Sequence, residues 1–279
     1  MNAFRAAMSL LLAAFVCGPV HAADSKTIKI ATEGAFPPWN AVDSSGKAIG
    51  FDVDVGLELC RRADLTCDFV AQNWDGIIPA LNVGKYDAIM AGMSITEKRK
   101  QVIAFSQPYA LTSNYFVVSK TLGVPAMDTN AKVDLSSDDA AAKQILTSLK
   151  SNLKGRTIGV QRSTNAEAFV RQYFDDSVDV RSYDTQDNLN LDLVLGRIDG
   201  GLADYSVWKA FLDSKDGATT ALYGPMISGG LFGPGVGIGL RKQDTDLAER
   251  FNDAIKSANA DGTLSKLSLK WFGADLAAK

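Results

Sequence analysis

The sequence predicts an α/β protein made of two lobes in succession. Two observations carry this. Apolar strands and amphipathic helices alternate in the order β-α-β-α-β between Thr27 and Ala91, and the same order restarts at Thr157 and runs to Ala203. Such alternation marks a largely parallel sheet with helices covering its faces. At 279 residues the chain has material for one large domain or two of ordinary size.

Ahead of the first lobe stands a segment of another kind. Arg5, an apolar stretch from Ala6 to Val16, Gly18-Pro19 and the small-residue step Val20-His21-Ala22 read as a secretory signal peptide over residues 1–22. The apolar run falls short of the roughly 18 to 20 residues that span a bilayer, and Cys17 lacks the Leu-small-small approach of a lipid-anchored leader. Cleavage removes the only histidine, His21, and the odd cysteine, Cys17. What remains excludes Ser-His-Asp and Cys-His catalysis and any His-ligated metal centre. In an oxidising compartment Cys60 and Cys67 pair as a disulfide by default, the alternative being two buried thiols. Their spacing is not the Cys-x-x-Cys of redox catalysis. The net charge of −3 becomes one unit more negative when Arg5 leaves, and no Lys/Arg block stands out, which argues against nucleic acid as a partner.

The elements follow in order. Thr27 to Thr32 alternates as an opening strand, and Phe51 to Arg62 is a helix with Val55 and Leu59 on one face beside Gly56 and Cys60. Cys67 to Ala71 is a second strand. Asp75 to Val83 is a short helix with Ile77, Ile78 and Leu81 inward and Pro79 in its first turns, where proline is tolerated. Asp87 to Ala91 is the third strand. In the second lobe, Thr157 to Gln161 is a strand and Thr164-Asn165-Ala166-Glu167 a capping box opening a helix through Phe169 and Tyr173. Asp179 to Tyr183 is a strand, Asp187 to Leu195 a helix with Leu191, Val194 and Leu195 inward, and Ile198 to Ala203 a strand. Leu122 to Gly155 is too long for a bare connection, so it reads as a decoration of the second lobe with a surface helix between Asp138 and Leu153. The glycines of 229–239 do not follow G-x-G-x-x-G and suit a flexible extended crossing better than a nucleotide site. The last long helix begins after Asp244, with Leu247, Phe251, Ala254, Ile255 and Ala258 on one stripe.

These residues have a familiar order. Ala31-Thr32-Glu33-Gly34-Ala35-Phe36-Pro37-Pro38-Trp39, Gly50-Phe51-Asp52-Val53-Asp54, Trp74-Asp75-Gly76-Ile77-Ile78-Pro79-Ala80-Leu81, Ala91-Gly92-Met93-Ser94-Ile95-Thr96-Glu97-Lys98-Arg99 and Ile158-Gly159-Val160-Gln161 together resemble the periplasmic amino-acid-binding proteins of bacterial ABC importers. Within that family (solute-binding protein family 3) the chain is most similar to the branch that binds lysine, arginine, ornithine, histidine and opines. The Cys60/Cys67 pair also looks like that branch's disulfide. The resemblance implies a two-lobed periplasmic-binding-protein fold, or Venus flytrap, with two extended crossings. Residues 23–110 and 237–279 then form lobe I, 115–227 lobe II, and 111–114 and 228–236 the hinge crossings.

The resemblance also implies a ligand set. Arg99 takes the position of a two-pronged donor to a ligand α-carboxylate, where the bland alternative is one more charge in a solvated Glu97-Lys98-Arg99-Lys100 run. Backbone N–H groups of Gly92, Ser94 and Thr164 are further donors. Asp204 matches the anion for the α-ammonium, or a helix N-cap, and one carboxylate can serve both. Glu33, between Phe36 and Trp74, suits a distal guanidinium or ammonium through a charge-assisted pair and cation–π contact of about 0.5 to 2 kcal/mol; the alternative for the two aromatics is core. Gln161 adds a polar contact from lobe II. Ala91-Gly92 stands where relatives binding the simple cationic amino acids carry Ser-Ser, Ala166 replaces a longer polar residue, and Arg162-Ser163 stands where a small residue and glycine are common, which points to a roomier cleft.

The resulting expectation is a monomeric periplasmic protein, without cofactor or metal, that captures a cationic amino acid for an inner-membrane ABC permease. An opine of the octopine or nopaline type is the alternative ligand. The rival of another class is a periplasmic enzyme like cyclohexadienyl dehydratase, which would need a carboxyl poised as an acid beside a leaving group.

Overall fold

The computed structural model describes residues 27–279. The leader expected over 1–22, with Cys17 and His21, lies outside the described residues. The chain enters on β1 (Ile28–Thr32) and turns through a small antiparallel sheet of β2 (Ala35–Phe36), β3 (Asn40–Val42) and β4 (Ala48–Ile49). α1 (Phe51–Arg62) follows. It buries Phe51, Val55 and Leu59 at helical spacing and places Asp52 and Asp54 in its first turn and Arg61 and Arg62 in its last, the signs the helix dipole favours. β5 (Cys67–Ala71) runs beside β1, and a 3-10 turn at Trp74–Gly76 opens α2 (Ile77–Asn82), which buries Ile77 and Leu81. β6 (Ala88–Ile89), the one-turn α3 (Glu97–Lys100) and β7 (Ala104–Phe105) complete this half.

The second half comprises β8 (Asn114–Ser119), β9 (Lys132–Asp134), α4 (Ala140–Asn152), β10 (Thr157–Gln161), α5 (Asn165–Tyr173), β11 (Asp179–Tyr183), α6 (Gln186–Val194), β12 (Gly200–Asp204), α7 (Tyr205–Leu212) and β13 (Thr220–Ser228). β14 (Gly239–Leu240), α8 (Thr245–Ala260) and α9 (Thr263–Phe272) return to the first half, where Phe251, Ile255 and Leu264 join the core of Ile30, Phe51 and Leu59. A separate core around Phe116, Ile158, Phe169 and Leu202 holds the second lobe.

The two main sheets have the orders β5-β1-β6-β14-β7 and β11-β10-β12-β8-β13-β9. In each, the repeated β-α-β-α-β unit supplies three parallel strands, β5-β1-β6 and β11-β10-β12. Antiparallel neighbours appear where strands arrive from outside that unit: β14 against β6 and β7, and β8 against β12 and β13. Both sheets are therefore mixed. The insertion over 122–155 supplies edge strand β9, parallel to β13, and α4, whose Leu149 enters the second core.

Between Phe105 and Asn114 the chain leaves the first sheet for the second, and between Ser228 and Gly239 it comes back. Val236 on the return bridges Ala110 on the outward pass and also Ser94. Gly233 is required here: its φ is +71°, and a Cβ would meet Ile95 O at 1.8 Å.

Cys60 and Cys67 form a disulfide with Cα atoms 6.2 Å apart, tying the end of α1 to the start of β5. One expectation is corrected. On α6 the inward residues are Leu189 and Leu193, whereas Leu191, Val194 and Leu195 are 56%, 37% and 53% exposed. Leucines occupy both faces of Asn188-Leu189-Asn190-Leu191-Asp192-Leu193, so a 3.6-residue period fits either face, and packing on β10 decides.

Candidate ligand-binding site

β1, β10 and β12 all end at one cavity between the lobes, as ligand sites of α/β sheets do. Glu33 follows the last residue of β1; Gln161 and Asp204 are the last residues of β10 and β12. The space not filled by protein atoms there, open solvent included, is about 570 Å³. Glu33, Phe36, Trp74, Gly92, Ser94 and Arg99 line it from the first lobe, and Gln161, Thr164 and Asp204 from the second. The structure thus brings all nine anticipated residues to one cavity.

Arg99 is buried, while Glu97, Lys98 and Lys100 around it are exposed. Thr96 caps α3 by accepting the Arg99 N–H, which fixes the turn that aims the side chain. Its Nη1 donates to Ser94 O at 2.9 Å and the guanidinium lies 5.1 Å from the Trp74 ring centroid. No carboxylate of the described residues forms a salt bridge with it, and burial lowers its pKa to about 10. An incoming carboxylate would meet a planar donor already oriented. Trp74 is therefore shared with Arg99, not reserved for a distal group.

At another part of the cavity, Glu33 is 8% exposed and accepts from Gln161 Nε2 at 2.6 Å, a bond that joins the lobes. Burial raises its carboxyl to about 7, against the stabilising bond from Gln161, with the charges of Asp187 and Asp75 adding to the rise. Asp204 does serve as the N-cap of α7, with Oδ1 accepting from Ser206 N at 2.8 Å and from Ser206 Oγ. It also lines the cavity, and burial there raises its carboxyl to about 6. The two roles coexist.

Two backbone donors fare differently. The Gly92 N–H already donates to Asp52 Oδ2 at 2.8 Å, so the expectation that it faces a ligand carboxylate is corrected. Asp52 is fully buried on α1 and also accepts from Asn40 Nδ2 at 2.9 Å and Tyr109 OH at 2.6 Å. It fixes the left-handed Gly92 turn (φ +56°) rather than touching the cavity. At Thr164 the capping box is displaced by one residue: Thr164 Oγ1 accepts from Glu167 N, but the Glu167 carboxylate takes the N–H of Ser163. The Thr164 N–H takes no part in the box, and Thr164 lines the cavity.

Several lining residues had not been singled out as site residues: Trp39, Asn114, Asn165 and Gln186 among them. Trp39 Nε1 donates to Ser206 Oγ at 2.8 Å, and Asn165 Nδ2 to Ser94 Oγ at 3.0 Å, so each links the lobes. Trp39 lies in the 31–39 motif and Asn165 in the 164–167 helix start, and an indole N–H needing a partner is the available signal for Trp39. Outside the mouth Arg162 pairs with Asp184 at 2.8 Å and with Asp75 at 3.4 Å. Among the described residues there is no group of His, Cys, Asp and Glu able to hold a metal ion, and no helix is long and apolar enough to cross a membrane.

Comparison with known proteins adds three findings. The family model for bacterial extracellular solute-binding proteins, family 3, matches residues 28–274. The octopine-binding periplasmic protein of Rhizobium meliloti is 40% identical, over 96% of this chain and 98% of its own, and the histidine-binding periplasmic protein of Escherichia coli (strain K12) is 34% identical over 96% of both. The crystal structure of a periplasmic His/Glu/Gln/Arg/opine family-binding protein from Silicibacter pomeroyi in complex with lysine superposes with a TM-score of 0.74 at 31% identity, covering 90% of this chain and 100% of that one. These relatives are binding proteins, not enzymes.

Proposed function

The chain belongs to family 3 of the bacterial extracellular solute-binding proteins, and on that premise we propose that it captures a cationic amino acid of the arginine, lysine or ornithine type in the periplasm and presents it to an inner-membrane ABC permease. It would do so as a monomer exported by its leader, with 111–114 and 228–236 as the hinges between lobe I (23–110 and 237–279) and lobe II (115–227).

One observation carries the reading. The ionisable residues lining the cavity are Glu33, Arg99 and Asp204, one cation and two carboxyls. A ligand with one carboxylate and two cationic groups satisfies each of them: its carboxylate on Arg99, its α-ammonium on Asp204 and its side-chain cation at Glu33. Burial without such partners is costly for all three, as their shifted pKa values indicate.

An opine is the second reading, favoured by the 40% identity to an octopine-binding protein and by Ala91-Gly92, which takes little room. Its second carboxylate would have no second cation among the lining residues, so the cationic amino acid is preferred. The dehydratase-like rival gains no support from relatives that are binding proteins. The test is a thermal-shift screen over amino acids and opines, since a ligand bound only by the folded form raises the melting temperature by mass action. Arginine, lysine or ornithine should give the largest shift; a larger shift with octopine would select the second reading.

A further inference from the structure

We propose that Gln186 is a specificity-determining residue of this cleft, its side-chain carbonyl accepting an N–H of the ligand's distal cation. The proposal rests on the cationic-ligand reading above and adds to it an acceptor from the second lobe.

Gln186 is the first residue of α6 and lines the cavity. It is 1% exposed, yet no donor among the described residues reaches its Oε1. A buried amide oxygen without a partner is costly, and such atoms in native proteins call for an explanation. The other end of the same amide is anchored: Nε2 donates to Asn190 Oδ1 at 2.9 Å, one turn along the helix. Thr185 caps the helix by accepting from Asn188 N, which holds the backbone beneath it. The carbonyl is thus both oriented and unused.

Its position places it at the Glu33 end of the cavity. Gln161 Nε2 bonds Glu33 Oε1 and, at 3.2 Å, the backbone carbonyl of Asp184, two residues before Gln186. The charge of Asp187, the residue after it, is felt at Glu33. Glu33 from lobe I and Gln186 from lobe II therefore offer acceptors at the same end. A guanidinium, with five N–H groups in one plane, can engage several acceptors at once. An uncharged alkyl side chain would leave the Gln186 carbonyl desolvated and unpaired, which a site built around polar groups penalises.

The experiment is calorimetric titration of wild type, Gln186→Met and Asn190→Ala with arginine and with norvaline, an α-amino acid that keeps the stem and lacks the distal cation. Norvaline reads the carboxylate and ammonium contacts alone; the arginine-to-norvaline affinity ratio reads the distal end. In Gln186→Met the ratio should fall about tenfold, through arginine, with norvaline unchanged or tighter. Asn190→Ala, which loosens the amide while keeping its carbonyl, should give a smaller fall of the same kind and serves if Gln186→Met does not fold. An unchanged ratio, or equal weakening of both ligands, overturns the role of Gln186 while leaving the cationic reading intact. A wild type that does not prefer arginine to norvaline defeats the cationic reading, and this proposal with it.

Discussion

Gln161 of the second lobe donates its side-chain amide to Glu33 of the first at 2.6 Å, across the cavity and out of water. A carboxylate engaged on one oxygen by a neutral donor is held in place but not neutralised, and so remains available to a cation. Glu33→Gln keeps the shape and removes the charge. Arginine and lysine affinity should drop by about 1.5 to 3 kcal/mol, the scale of a hydrogen bond to a charged group, while glutamine loses little. Isothermal titration checks this; equal loss for every ligand would make Glu33 structural.

Binding should be coupled to proton release. Glu33 has its pKa raised from 4.5 to about 7, and Asp204 from 3.8 to about 6. A carboxyl raised on folding contributes fully below its unfolded value and loses that contribution as pH climbs through the folded one, so the ligand-free protein should lose stability between about pH 4 and 7. A bound cation favours the carboxylate and reverses the shift. Arginine affinity should therefore rise from pH 5 to 7 and level off above, with between one and two protons released at pH 6, roughly 0.9 from Glu33 and roughly 0.5 from Asp204. Titrations in buffers of different ionisation enthalpy measure that number, and Glu33→Gln should reduce it.

Among the described residues Arg99 has no carboxylate partner, and it is held by Ser94 O and the Trp74 ring. Arg99→Ala should cost about 2 to 5 kcal/mol of binding for every amino-acid ligand, because the ligand carboxylate would then be buried unpaired. Arg99→Lys should rescue only part, since a point charge cannot reproduce a two-pronged contact. Unchanged affinity in Arg99→Ala would remove the carboxylate clamp.

Trp39 packs against Phe51 and Phe272 in the first lobe and donates across the seam to Ser206, which caps onto Asp204. Trp39→Phe keeps most of the packing and deletes the donor. Arginine should bind about 1 kcal/mol more weakly, with Ser206→Ala giving a similar and non-additive loss. Additive losses in the double mutant would show that the two residues act separately.

The Cys60–Cys67 disulfide lies at the start of β5, whereas the cavity is at the opposite end of the parallel strands, about 13 Å away along a five-residue strand. Replacing both cysteines by serine should lower stability by about 2 kcal/mol, as expected for a short closed loop, and leave ligand affinity unchanged. Denaturant unfolding and titration of the same variant separate the two effects.

Much of this was legible in the chain. Phe51 to Arg62, Cys67 to Ala71 and Thr157 to Gln161 fall where their periodicity places them, because each has a single apolar face or strict strand character. α6 was not, since its leucines serve either face and only the neighbouring sheet selects one. At the site, residue types were readable and their pairings were not. The Gly92 N–H is taken by Asp52, 40 positions away, and Trp39 meets Ser206 across 167. Such pairings depend on how the lobes meet, which local pattern does not encode. Gln186 was missed for the same reason: a glutamine at the start of a helix is unremarkable until the fold buries it in the cavity wall.

The most direct measurement is titration of the purified wild type, side by side, with arginine, octopine and glutamine at pH 7.5. Arginine should bind tightest of the three, with a Kd on the order of 1 μM or below, octopine more weakly because its second carboxylate lacks a cation, and glutamine more weakly because Glu33 is left without one. Octopine binding more tightly than arginine, or glutamine binding equally well, would contradict the cationic-ligand reading.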